Sequence, residues 1–164
     1  MPPRFAVITF GCKVNQADSL DIERGLCAGG GCPSPAELAD VVVVNTCSVT
    51  AAADQAARQA IRRTAHANPA ARIIATGCYA TRRPGELGSL PAVAQVVPNS
   101  AKAEIAGGIG RHLPTPDRPE SGWQAPEPEP WPRPGHRGRT MHPVRVQTGC
   151  DETCSYCVIP ATRG

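Results

Sequence analysis

The chain has 164 residues, which is enough for one globular domain with its own core and part of a second. Its net charge is +3, from 15 arginines and two lysines against 14 acidic residues. This net charge is compatible with an RNA partner but is not evidence for one. The N-terminus offers one apolar run, 5–10, too short for a signal peptide, and no segment approaches the roughly 18 apolar residues of a membrane span. We therefore expect a soluble cytoplasmic protein, in which eight cysteines favour metal ligation or redox chemistry over disulfides.

The first two thirds of the chain alternate between β-branched runs and helical patterns, which is typical of βα units around a parallel sheet. In chain order the predicted elements are a strand over 4–10, a helix over 15–28 ended by three glycines, a strand over 40–45, a helix from an N-cap at Thr50 to 67, a strand over 72–76, a strand over 94–97 and a helix over 99–111. Four consecutive valines at 41–44 indicate a strand that is covered on both faces. The predicted fold class is α/β, with a flavodoxin-like parallel sheet over residues 1–110.

The composition changes sharply at residues 111–140, which contain eight prolines and almost no aliphatic side chains. Such a segment buries too little apolar area to offset the entropy of ordering it, so we interpret it as a linker. Residues 143–148 then alternate Val144 and Val146 with polar residues, which predicts a strand. The predicted division is a first domain over 1–110, the linker, and the start of a second domain over 141–164.

Three cysteines follow predicted strands: Cys12, Cys47 and Cys78. The gaps of 35 and 31 residues match one βα unit each, and the carboxyl ends of parallel strands meet at one edge of a sheet. This placement predicts a shared three-thiolate site. The alternative is that each is a small buried hydrophobic residue, since free cysteine is often interior. Cys27 and Cys32 lie at no predicted strand end, so we expect them not to be ligands, although an incidental disulfide or zinc contact stays open.

A local motif of the form C-x3-C-x2-C is formed by Cys150, Cys154 and Cys157. Three thiolates are one fewer than the four ligands of a cubane iron-sulfur cluster, so one iron is left for a ligand that is not protein. The alternative is a structural zinc site completed by a distant histidine such as His142. Zinc modules usually pair two cysteine knuckles, and no second knuckle follows here.

Four segments, taken in order, resemble the methylthiotransferases of the radical S-adenosylmethionine class, over nearly the whole chain. They are Thr9-Phe-Gly-Cys-Lys-Val-Asn-Gln16, Asn45-Thr-Cys-Ser-Val-Thr50, Thr76-Gly-Cys-Tyr-Ala80, and Val146-Gln-Thr-Gly-Cys-Asp-Glu-Thr-Cys-Ser-Tyr-Cys-Val-Ile-Pro160 trailed by Thr162-Arg-Gly164. The resemblance implies that the second domain is the truncated start of a radical SAM partial α/β barrel.

By that resemblance, the local triplet holds a 4Fe-4S cluster whose fourth iron binds S-adenosylmethionine, and Tyr156 occupies the family's aromatic position beside this cofactor. With an electron donor as partner, the cluster breaks the sulfonium bond and yields a 5'-deoxyadenosyl radical. Cys12, Cys47 and Cys78 resemble the ligands of an auxiliary 4Fe-4S cluster that carries the sulfur to be inserted. Both open irons are then expected to face one substrate cavity.

The substrate implied by the resemblance is tRNA. The run Cys12-Lys-Val-Asn-Gln16 resembles the branch that adds a methylthio group at carbon 2 of N6-threonylcarbamoyladenosine beside the anticodon, whereas the isopentenyladenosine and ribosomal-protein branches differ after the cysteine. Arg58, Arg62 and Arg63 are candidates for holding RNA phosphates, with a solvated helix face as the alternative.

Only one strand and one loop of the barrel are expected within the 164 residues, so we expect a fragment that is inactive alone. We also expect it to be a monomer. The competing hypotheses are a non-catalytic iron-sulfur or zinc binding module, and a methylthiotransferase that acts on another tRNA adenosine or on a ribosomal protein.

Overall fold

The structure is a computed structural model that describes residues 2–106 and 145–164. The predicted linker over 111–140, the end of the predicted helix over 99–111, and Val144 lie outside the described residues.

A single parallel sheet is built from five strands within these ranges, in the order β2-β1-β3-β4-β5. The strands are β1 (Arg4–Thr9), β2 (Cys32–Pro33), β3 (Val41–Thr46), β4 (Arg72–Gly77) and β5 (Val93–Val97). This order is the flavodoxin-like one, so the predicted α/β class is confirmed. The sequence did not predict β2, because a two-residue strand is too short to produce a periodic signal.

Helices cover both faces of the sheet. They are α1 (Lys13–Ala28), α2 (Ala51–Ala67), α3 (Cys78–Arg82), α4 (Pro84–Gly88), α5 (Lys102–Ala106) and α6 (Ile159–Arg163), with short 3-10 turns at Ala36–Leu38 and Asn99–Ala101. The predicted cap of α2 is confirmed, since the Thr50 hydroxyl accepts a hydrogen bond of 3.2 Å from the backbone of Ala53. The one-turn helices α3 and α4 are too short to show helical periodicity in the sequence.

The core lies on both sides of β3, whose four valines are all fully buried. Val41 and Val43 pack with Ile22 and Leu26 of α1, as the helical spacing of those two residues predicted. The alternate valines of the strand pack with Ile61 of α2 on the opposite face. A continuous apolar strand that is covered on both faces is therefore confirmed.

The predicted strand over 143–148 is wrong over its described part. Residues 145–150 carry no strand, and the side chain of Val146 is 93% exposed. An isolated strand has no neighbouring strand to satisfy its backbone groups, and Arg145 instead forms an ion pair with Asp18 of α1. Helix α6 packs against α3, which places this segment at the carboxyl edge of the sheet.

The helices found in the two described ranges are too short or too polar to cross a bilayer.

We predict that Ile61→Ala lowers the free energy of unfolding by about 2–5 kcal/mol, because it leaves a cavity in a fully buried position. Urea unfolding followed by circular dichroism measures the loss. The neighbouring Arg62→Ala removes an exposed side chain and should change the same quantity by less than about 0.5 kcal/mol. Equal losses in the two variants would contradict the assignment of the core.

Candidate functional site

The sheet brings the three strand-end cysteines to one edge. Cys47 directly follows β3 and Cys78 directly follows β4, and the last residues of these two strands, Thr46 and Gly77, are paired in the sheet. Cys12 lies three residues beyond the end of β1, which pairs with β3 on its other side. The three cysteines therefore follow the ends of three neighbouring strands, at the same edge of the sheet, as the predicted topology required.

The edge coincides with the topological switch point of the sheet. From β1 the chain goes outward to β2 on one side, and then crosses to β3 and onward on the other. Open α/β sheets bind ligands in the crevice where the order reverses, outside the carboxyl ends of the strands. Cys12 and Cys47 lie on the two sides of that crevice.

Glycine is required immediately before two of these cysteines: Cys12, at the N-cap of α1, and Cys78, the first residue of α3. Gly11 has a φ of +97°, and a Cβ there would overlap the Cβ and Sγ atoms of Cys47. Gly77 has a φ of +101°, and a Cβ there would overlap the backbone of Thr46. The loop that carries Cys12 therefore lies directly on Cys47, and the turn into Cys78 packs against the end of β3.

The three thiols differ in exposure. Cys47 and Cys78 are buried, whereas Cys12 is exposed at the N-cap of α1, where its side chain makes no capping hydrogen bond. Across the described residues, no three histidine, cysteine or carboxylate side chains are close enough to hold one metal ion. Each thiolate of a cubane cluster binds a different iron, so its ligands lie farther apart than those of a single ion. Thiols are the donors that iron-sulfur clusters take, and ligation of a cluster by Cys12, Cys47 and Cys78 stays a prediction.

The second triplet forms a loop beside this edge. The backbone NH of Cys150 donates to the carbonyl of Gly164 at 3.0 Å, and the NH of Cys157 donates to the carbonyl of Cys154 at 3.1 Å. Cys154 is exposed, the other two thiols are partly buried, and the side chain of Tyr156 is 90% exposed. Ligation by this triplet stays a prediction, as does the contact of Tyr156 with a cofactor.

One amide joins the two cysteine groups. The side-chain Nδ2 of Asn99 donates to the Sγ of Cys78 at 3.6 Å and to the carbonyl of Thr162 at 2.7 Å. Thr162 belongs to α6, the helix that begins two residues after Cys157. Asn99 therefore links Cys78 to the helix that follows the second triplet, although more than 70 residues separate the two cysteine groups in sequence.

A buried amide network fixes the loops after β1 and β3. The Nδ2 of Asn15 donates to the carbonyls of Phe10 and Thr46, at 2.8 and 2.9 Å. The Nδ2 of Asn45 donates to the carbonyl of Asn15 at 2.8 Å and to the hydroxyl of Ser19 at 2.9 Å. Sequence reasoning missed this network, although one signal was present: Asn45 is a polar residue that follows four valines in a buried strand.

A second missed feature is the buried carboxylate of Asp18. Its oxygens lie 2.8 Å from the ammonium of Lys102, 2.6 Å from the guanidinium of Arg145 and 2.8 Å from that of Arg163. Burial alone raises the pKa of Asp18, but Lys102 and Arg163 outweigh it and hold this pKa below its ordinary value. Asp18 is therefore ionised at neutral pH.

The cations around Asp18 feel opposing effects of burial and charge. Burial lowers the pKa of Lys102, and Asp18 partly offsets this effect. Burial also opposes the charge of Arg163, but Asp18 and the thiol of Cys78 raise the pKa of this guanidinium above its ordinary value.

A cavity of about 320 Å³ lies beside Asp18 and its three cations, which line it together with Asp21 and Asn99.

Cys27 and Cys32 lie away from this edge. Cys32 pairs with Arg4, the first residue of β1, so it is at the amino end of the sheet. Burial raises the pKa of the Cys27 thiol, and nearby Glu23 and Cys32 raise it further. Neither position brings these thiols to the carboxyl edge, which agrees with the expectation that they are not ligands of a cluster there.

The arginines of α2 do not share one environment. Arg58 donates a hydrogen bond of 2.6 Å to the hydroxyl of Tyr79, which in turn donates to Glu86 at 2.6 Å. Arg62 and Arg63 are exposed on the outer face of the helix. Arg58 is thus engaged within the protein, whereas the exposure of Arg62 and Arg63 is compatible both with RNA binding and with a solvated helix face.

Comparison with known proteins identifies relatives of the whole chain. Residues 4–98 match the Uncharacterized protein family UPF0004. The chain is 34% identical over 98% of its length to the threonylcarbamoyladenosine tRNA methylthiotransferase MtaB of Aquifex aeolicus. It is also 34% identical over 98% to the ribosomal protein uS12 methylthiotransferase RimO of Desulforudis audaxviator, and 35% identical over 99% to the tRNA-2-methylthio-N(6)-dimethylallyladenosine synthase of Sorangium cellulosum.

The chain spans between 35% and 40% of the length of these three relatives. Their names differ in substrate, while their identities to this chain are nearly equal. Overall identity therefore does not distinguish among the three substrates.

We predict that Gly11→Ala destabilises the protein more than Gly30→Ala. Both positions have a positive φ, which costs an alanine about 1–2 kcal/mol, but a Cβ meets nothing within 4 Å at Gly30 and collides with Cys47 at Gly11. Urea unfolding measures the difference between the two variants. Labelling of the buried Cys47 thiol by an alkylating reagent, quantified by mass spectrometry, should be faster in Gly11→Ala. Equal unfolding free energies and equal labelling in the two variants would show that the loop carrying Cys12 does not pack against Cys47.

Proposed function

The chain belongs to protein family UPF0004, and from that membership we propose that it forms the cluster-binding part of a cytoplasmic tRNA methylthiotransferase. The observation that supports this proposal best is the convergence of two three-cysteine groups at one edge of the sheet. A purely structural role for the cysteines requires no such convergence, because buried thiols serve equally well anywhere in a core.

In this proposal Cys12, Cys47 and Cys78 are ligands of an auxiliary 4Fe-4S cluster, and the triplet over residues 150–157 holds a second one. When bound, the two clusters supply the reductive cleavage of S-adenosylmethionine and the sulfur that is transferred. The contribution of the chain is to orient the thiols. Buried Cys47 and Cys78 fix one side of the first site against the sheet, and exposed Cys12 leaves the other side accessible to a substrate.

Tyr156 is proposed to contact S-adenosylmethionine. Its ring is 90% exposed between two of the triplet cysteines, so it is available to a ligand that approaches from solvent. An exposed aromatic ring beside the thiols offers an apolar surface to the adenine or the methionine part of this cofactor.

The proposed substrate is N6-threonylcarbamoyladenosine beside the anticodon of tRNA. Support comes from the run Cys12-Lys-Val-Asn-Gln16 and from relatives in Aquifex aeolicus and Bacillus subtilis that carry this substrate in their names. An electron donor is required as a second partner. Because the relatives are more than twice as long, we also propose that the 164 residues alone bind clusters without completing turnover.

We predict that anaerobic reconstitution with iron and sulfide gives a brown protein with about eight irons per chain. Changing Cys12, Cys47 and Cys78 together to alanine should reduce this to about four, and changing the C-terminal triplet should do the same. Iron and zinc analysis with visible absorption and Mössbauer spectroscopy measures the outcome.

The matched control is a variant with alanine at Cys27 and Cys32, which lie at the other end of the sheet and should leave the iron content unchanged. A colourless protein that binds zinc would support a non-catalytic zinc module instead. Loss of iron in the control variant, with retention in the other two, would overturn the assignment of the ligands.

The substrate is tested with a chimera in which residues 1–164 replace the matching segment of the Aquifex aeolicus relative. We expect this chimera to restore 2-methylthio-N6-threonylcarbamoyladenosine in a bacterial strain that lacks its own enzyme, as measured by mass spectrometry of digested tRNA. The same chimera with Cys47→Ala should restore none. A methylthio group on dimethylallyladenosine or on ribosomal protein uS12 would reassign the substrate.

A further inference from the structure

Asp18 connects three parts of the chain that are far apart in sequence. It projects from α1, and its three cationic partners come from α5, from the start of the C-terminal segment and from α6. The side chains of Asp18, Lys102 and Arg163 are 1%, 9% and 3% exposed, so solvent screens their interaction little. Arg145, at 36%, is the more exposed partner.

Asp18 is the carboxylate that contacts all three cations, whereas Asp21 contacts Arg145 alone at 3.4 Å, so the buried pair of Lys102 and Arg163 depends on Asp18. Lys102 also donates to the Oδ1 of Asn45 at 3.2 Å, and Arg163 donates to the Oδ1 of Asn15. These amides are neutral and cannot balance the positive charges. Without the carboxylate, Lys102 and Arg163 would repel each other inside the protein, and a buried charge that has lost its partner is strongly unfavourable.

The cations that bind Asp18 flank the second cysteine triplet. Arg145 lies five residues before Cys150, and Arg163 lies six residues after Cys157. Asp18 itself lies six residues after Cys12, on the helix that this cysteine caps. Asp18 thus holds Arg145 and Arg163, which flank the second cysteine triplet, against α1, the helix that has Cys12 at its N-cap.

We propose that Asp18 is a positioning residue that clamps residues 145–164 onto the carboxyl edge of the sheet and so sets the two cysteine groups side by side. The clamp is a property of the chain itself. Its role in placing two iron-sulfur clusters rests on the proposed function.

Other contacts also reach the C-terminal segment. Asn99 donates to the carbonyl of Thr162, and α6 packs against α3. These two contacts are local to α6. Arg163 also donates to Asn15 and Arg145 also contacts Asp21, but Asp18 is the side chain that binds both arginines, one at each end of the segment. The test therefore asks whether loss of one negative charge releases the whole segment.

Hydrogen-deuterium exchange on the metal-free 164-residue chain tests the clamp. In Asp18→Asn, which keeps the size of the side chain, we expect amides of residues 150–164 to exchange at least about tenfold faster than in the wild type. Amides of β3 and β4 should stay protected, which shows that the sheet is intact. Asp21→Asn is the matched control, because Asp21 lies on the same helix and contacts Arg145 at 3.4 Å but is 48% exposed. We expect it to change the exchange by less than about twofold.

A second variant covers the case in which Asp18→Asn unfolds the sheet. Arg163→Gln removes the other end of the clamp without altering α1, and it should release the same amides. Combining the two changes should add little to either alone, because they remove one shared interaction. Unchanged exchange over 150–164 in Arg163→Gln, or full additivity of the two changes, would overturn the proposal.

The role of Asp18 in positioning the two cysteine groups is measured by electron paramagnetic resonance on the chain reconstituted with iron and sulfide. Two reduced clusters that lie close together broaden each other's electron paramagnetic resonance signals. We expect this broadening in the wild type and in Asp21→Asn, and its loss in Asp18→Asn at equal iron content. Broadening that persists in Asp18→Asn would contradict the positioning role. A protein without iron would count against the proposed function, while the exchange experiment would still decide the clamp.

Discussion

The arrangement of the candidate site depends on one buried carboxylate that three cations share. Asp18 is ionised because Lys102 and Arg163 outweigh the cost of its burial, and those cations are tolerated inside the protein because Asp18 is ionised. Replacing such a cluster by apolar residues of similar volume is often neutral or stabilising, so the role that we propose for it is to fix the position of the groups that form it. Here it specifies where the C-terminal segment meets the sheet.

The parallel sheet provides the other half of the arrangement. Adjacent strands β1, β3 and β4 end at one edge, and the residues that follow them inherit that convergence without any local motif. Gly11 allows the loop before Cys12 to lie against Cys47, and Gly77 allows the turn before Cys78 to lie against the end of β3. The buried amides of Asn15 and Asn45 then hold the loops after β1 and β3 in place. A side chain at either glycine would disturb the backbone that carries these cysteines.

Much of this could be predicted from the sequence, because the signals were long and periodic. The valines of β3 predicted a strand covered on both faces, and the spacing of Ile22 and Leu26 predicted the helix that packs against it. The position of three cysteines after predicted parallel strands predicted that their loops share one edge of the sheet. Short elements such as β2 and α3 were missed, since two to five residues show no period. The predicted strand around Val146 failed because alternation describes a strand only where a partner strand exists. The partners of Asp18 were unpredictable for a different reason: they are separated by 84 to 145 residues, and no local pattern records such a contact.

The most direct test of the whole account is a crystal structure of the anaerobically reconstituted chain, with anomalous scattering measured at the iron absorption edge. The account predicts two iron sites at the carboxyl edge of the sheet, one among Cys12, Cys47 and Cys78 and one within residues 150–157, with Arg163 still bound to Asp18. Iron at the amino end beside Cys27 and Cys32, or a C-terminal iron site remote from α1, would contradict it.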